Sequence, residues 1–181
     1  MLSRRLIKLI ETHAESLAHE VVEDVQANEH THSLVRIPKE ELGSRILALY
    51  RNLGNWIGDP NDDAIRHEYE QWGRTRCQQG VPMSEIAFCL ILIKKHLRMY
   101  IREHAAVVFS GDRLVSGEMV PLELYSIQEL NYVVGDFFDR ALYYLLLGYE
   151  LQAKAQTKAV GGLEPSSGVG ERRKTTEHVA S

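Results

Sequence analysis

Eight histidines are the first residues of this chain that could do chemistry. His30 and His32 are two apart and follow Glu29, the spacing of a metal pair in an extended segment. Zinc sites, however, need three or four ligands, and a polar loop with two histidines is more often solvated. His96 and His104 lie in a helical stretch with Tyr100, and Cys89, Ile93, His96 and Tyr100 recur on one face. An imidazole there could be the axial ligand of a haem in an all-helical domain, or a hydrogen-bonded histidine at the edge of a core stripe. Glu15 and His19 are four apart, which suits a helix surface. The carboxylates of Glu40, Glu41, Asp62, Asp63, Glu68 and Glu70 fall at helix starts or on polar faces, and acids are favoured at helix starts by the helix dipole. Cys77 and Cys89 form no CxxC pair. No serine or cysteine sits in a nucleophile motif, and no glycine-rich phosphate loop follows a strand. The chain is therefore read as non-enzymatic and without a metal site.

The elements that would hold these residues are helical almost throughout. Leu6, Ile10, Leu17, Val21 and Val25 form a stripe that predicts a helix over 3–27. A polar connector follows over 29–37. Pro38 then opens a second helix carrying Leu42, Ile46, Leu49, Leu53 and Ile57 on one face. A third, more polar helix spans 63–79. A fourth carries Ile86, Leu90, Ile93, Leu97 and Ile101, widened by Phe88, Leu92 and Met99. A fifth follows Pro121. Leu34–Ile37 and Val107–Phe109 are the two places where short extended pieces could occur.

The chain has 181 residues, of which 44% are hydrophobic, enough for one core. Its net charge of −4 argues against a general nucleic-acid surface. No apolar run reaches the roughly 20 residues that span a bilayer, and two cysteines suit a reduced cytoplasmic setting. From Gln152 onward Gly, Ser, Thr and charged residues dominate. The expected organisation is a helical domain over 1–152, then a helix extension and flexible tail over 153–181. Arg172-Arg173-Lys174-Thr175-Thr176 in that tail has the pattern of a basophilic kinase site.

Two further features bear on function. Gly80 is placed to end the third helix in a left-handed conformation, with Pro82, Ser84 and Glu85 opening the next. Gly73 lies inside the third helix, where glycine costs about 1 kcal/mol against alanine, so a neighbour should approach closely there. In the last helix Phe137, Phe138, Ala141, Leu145 and Tyr149 cover more than one face. That excess of apolar surface predicts a helix shared with a second copy or closed over a ligand.

The segment from Pro38 to Ile57, read with Trp72–Glu85, resembles the amino-terminal sensory domain of RsbRD-type co-antagonist proteins, which also precedes histidine kinases. Gly73, Arg76, Gln79, Gly80, Val81, Pro82 and Glu85 match the family pattern, and the likeness covers about residues 1–150. The resemblance implies a helical bacterial input domain that responds to a ligand or partner, carries no catalytic residue, and signals through its last helix to an output module. No STAS or kinase module follows Gly161 in this sequence; the chain is a fragment or a stand-alone version. The expected fold is all-α, about five helices in one bundle, globin-like in one version. The expected function is a dimeric, cytoplasmic signal-transduction sensor without cofactor or membrane span. The alternative is a globin-like protein binding haem or a small ligand through His96, Tyr100 or His104.

Overall fold

A computed structural model describes residues 2–58, 62–110 and 120–161. These are all-helical: α1 (Leu2–Thr12), α2 (Ala14–Ala27), a 3-10 helix (Glu29–Arg36), α3 (Lys39–Arg51), α4 (Leu53–Gly58), α5 (Asp63–Gln78), α6 (Met83–Ser110) and α7 (Val120–Gly161). The expectation of about five helices undercounts because two of the expected helices are broken and the connector is itself a 3-10 helix. At His13 the backbone leaves the helix (φ −100°, ψ 15°). Thr12 Oγ1 donates to Lys8 O at 2.7 Å and His13 Nδ1 lies 2.9 Å from Leu9 O. Side chains that satisfy carbonyls one turn back compete with the helical ladder. Asn52 does the same, its Nδ2 donating to Ala48 O at 2.8 Å. Glu11 then accepts from the Gly54 N–H at 3.2 Å, meeting one of the free donors at the start of α4.

The connector is ordered by capping. Asn28 Oδ1 accepts from His30 N, and the fully buried Thr31 donates to Val25 O. Residues 34–36 are thus 3-10 helix rather than extended; only Ile37 is extended (φ −83°, ψ 133°). Residues 107–109, the other suggested extended piece, belong to α6. The tail, with its basic cluster, lies outside the described residues beyond Gly161.

One core joins all these helices. The α6 stripe is buried, and so are Leu6, Ile10, Leu17, Val21 and Val25 on α1 and α2. Met99, expected to widen the α6 stripe, is instead 37% exposed. The most extensive helix pair is α5 against α7. Leu130, Val134, Phe137, Phe138, Ala141 and Leu145 of α7 are all buried within this one chain. From Glu150 to Ala159 the side chains of α7 are mostly exposed, so the helix runs on past the core.

Candidate functional site

The turn after α5 ends as its glycine requires. Gly80 has φ +70°. Its N–H donates to Cys77 O at 3.0 Å, and the Val81 N–H to Arg76 O at 3.1 Å. Together these bonds close a Schellman motif, with Val81 buried behind it. Pro82 accepts the first α6 bonds from Glu85 N and Ile86 N. The Glu85 carboxylate does more than face a helix dipole: it accepts from Ser33 N at 2.6 Å and Ser33 Oγ at 2.9 Å, pinning α6 to the 3-10 helix. Arg76 is 1% exposed. Its two terminal nitrogens reach Gln79 Oε1 at 2.6 Å and Glu41 Oε1 at 2.9 Å, tying the end of α5 to α3. Tyr149 Oη donates to Val81 O at 2.9 Å, tying α7 to the same turn. These residues form a structural junction of five elements, the 3-10 helix, α3, α5, α6 and α7.

Gly73 marks the junction's tightest point. A Cβ built there would lie 2.8 Å from Tyr149 N and closer still to Leu145 O. Gly148 is its counterpart on α7: a Cβ would lie 2.6 Å from Glu70 Cα and closer to Glu70 O. The two helices therefore meet backbone to backbone, with no side chain between them. Close-packed interiors have low compressibility and transmit strain, so the two helices are mechanically coupled at this crossing.

Beside this crossing, between α3, α4, α5 and α6, lies a cavity of about 360 Å³. Its size falls within the range of roughly 300–1,000 Å³ of small-molecule sites. Trp56, Tyr69 and Trp72 form aromatic walls; Ile46, Ala48, Leu49 and Ile93 are apolar lining. Arg45 stands over the Trp72 ring at 5.0 Å and pairs with Glu68 at 2.9 Å. Burial raises the pKa of the Tyr69 hydroxyl well above its ordinary value. The indole N–H groups of Trp56 and Trp72 are both buried, and neither meets an acceptor among the described residues. A buried donor left unpaired costs about 1–3 kcal/mol, so two on residues that line one cavity are a notable concentration. These are also the only two tryptophans of the chain. Their rarity is the signal the sequence carries, but only packing brings them together.

The histidine candidates gather elsewhere. His96, Tyr100 and His104 line a smaller space of about 220 Å³ with His13, Glu20 and Glu103. His96 Nε2 lies 2.8 Å from Asp24 Oδ2, and this bond is the main reason the Asp24 carboxyl titrates below its ordinary range. His104 stacks on Tyr100 at 4.0 Å, with Nδ1 3.0 Å from Tyr100 O. A space this small, with one imidazole already paired, lends no support to a haem. His30 packs on Phe88 and faces Glu29. Among the described residues no three His, Cys, Asp or Glu side chains are grouped to hold a metal ion. Both thiols are free and buried, and burial pushes Cys89 up to about 12.

The residues expected on a shared α7 surface need correction. Phe137, Phe138, Ala141 and Leu145 are at most 2% exposed within one chain. Tyr149 is half-buried on the α5–α6 turn. α7 is apolar on so much of its circumference because several helices of its own chain surround it. Its exposed large apolar side chains, among the described residues, are others: Leu124, Tyr125, Tyr132, Tyr143 and Leu151. No described helix is long and apolar enough to cross a membrane.

Compared with known proteins, the chain matches no family model, no curated protein and no solved structure.

Proposed function

We propose that this chain is a non-enzymatic signal-transduction input domain, a helical bundle in which occupancy of the Trp56–Trp72 cavity is passed to an output through α7. One observation carries the reading. The helix that supplies Trp72 to the cavity is held backbone to backbone against α7 at the very next residue, through Gly73 and Gly148. A ligand that moves α5 by the about 1–2 Å typical of helix shifts would move α7 with it. The α7 segment beyond the core is then the lever that meets the output module or partner. The likeness of the α5–α6 turn to RsbRD-type sensory domains points the same way. A cytoplasmic homodimer fits this role, with Tyr125, Tyr132 and Tyr143 of α7 available to a second copy.

The test is a fusion. Residues 1–161 are joined through α7 to a histidine-kinase core lacking its own input, with zero to four residues inserted at the joint. Kinase activity that rises and falls with helical phase supports the reading. Equal activity at every phase overturns it.

A further inference from the structure

The cavity's walls also specify what it takes. We infer that the Trp56–Trp72 cavity binds a small, neutral, flat molecule carrying hydrogen-bond acceptors, such as a nitrogen heteroaromatic. The inference rests on the reading of that cavity as the input site and adds the ligand's chemistry to it.

Three observations lead there. The first is charge. The charged groups that line the cavity are already matched, Arg45 by Glu68 and Glu41 by the neighbouring Arg76. An anion would find no uncompensated cation, and a cation no uncompensated carboxylate. A charged ligand would lose its hydration without a counter-charge, so a neutral one is favoured. The second is shape. Indole and phenol rings wall the space, and Tyr69 and Trp72 stand 5.9 Å apart, centroid to centroid. Aromatic walls favour a flat ring that stacks or meets them edge-on. The volume of about 360 Å³ sits near the small end of ligand sites. The third is hydrogen bonding. The two tryptophans present donors only, and both donors lack an acceptor. Both nitrogens are buried and neither is open to the cavity, so a ligand's acceptor meets an N–H only once that indole turns about its broad χ2. The matching group on the ligand is an acceptor, not a donor.

Quinoxaline and naphthalene separate these features, because they share size and flatness and only quinoxaline has acceptors. The 2-naphthoate ion adds the charged case. The readout is the pair of indole N–H signals in a nitrogen–proton correlation spectrum of the full chain, assigned with Trp56→Phe and Trp72→Phe. Quinoxaline should move at least one indole signal downfield and saturably, binding at least about tenfold tighter than naphthalene. The remaining signal in each single variant should still respond, which shows that the fold survives. The inference is overturned if naphthalene binds as tightly as quinoxaline, if 2-naphthoate binds tighter than both, or if no probe moves either signal saturably. Quinoxaline that moves the indole signals but leaves the fusion kinase unchanged supports the ligand class and sinks the input reading instead.

Discussion

Replacing Gly148 by alanine should destabilise the chain although it improves the helix. Alanine gains about 1 kcal/mol over glycine in a helix interior. Against this stands the α5–α7 crossing. The new Cβ would lie 2.6 Å from Glu70 Cα, a distance that real contacts do not show. Its neighbours are backbone atoms, which cannot swing aside as a flexible side chain can. Overpacking a core costs about 1–3 kcal/mol, and a backbone clash sits at or above the top of that range. The net expectation is a loss of about 2 kcal/mol, a fall of about 4–8 °C in midpoint for a chain of this size. Gly135 is the control on the same helix. A Cβ there meets nothing within 4 Å, so Gly135→Ala should show only the propensity gain, a rise of about 1–4 °C. Circular dichroism melts of parent and both variants are the assay. A Gly148→Ala midpoint equal to or above that of Gly135→Ala would refute the close crossing.

Gly80→Val should cost about 1–2 kcal/mol, because a β-branched residue is strained at φ +70° even though open space surrounds the site; an unchanged denaturation midpoint would rule out the left-handed cap. Arg76→Lys should cost about 1–2 kcal/mol, since one ammonium does not reproduce the two-nitrogen reach to Glu41 and Gln79; urea unfolding checks this, and parental stability would count against the junction. The Asp24 carboxyl titrates below its ordinary range mainly through its bond to His96. Its contribution to stability is therefore present above the ordinary carboxylate value and lost as pH falls through the lowered one. His96→Ala should return the Asp24 side-chain carbon titration toward the ordinary value; no movement on that substitution would exclude the pair.

What the sequence made legible was local. Gly80 is readable because left-handed backbone is a property of the residue itself, and the apolar stripes are readable because a helix repeats. The breaks at His13 and Asn52 were hidden for the same reason. Ile10, Ala14 and Leu17 keep the helical spacing across the first break, so the stripe looks continuous while two side chains steal carbonyls from the ladder. Gly73 signalled a close neighbour, but its partner Gly148 lies on a helix 75 residues later, and no local rule pairs them. The apolar circumference of α7 was visible; whether a second copy or the chain's own helices cover it depends on topology. The cavity was the least legible feature. Its walls come from α3, α4, α5 and α6, and its signature is two donors that lack partners, a fact of packing rather than of pattern.

The central claim is that a change in the cavity moves α7. Ala48 is an exposed residue of the cavity lining, so Ala48→Phe places a ring at its mouth. Spin labels at exposed Glu40 on α3 and Glu150 on α7, with Cys77 and Cys89 replaced by alanine, report the separation of the two helices by pulsed electron resonance. The account predicts a shift of about 1–2 Å in the mean distance when the ring is present. A folded Ala48→Phe chain whose distance distribution overlays that of its parent would contradict it.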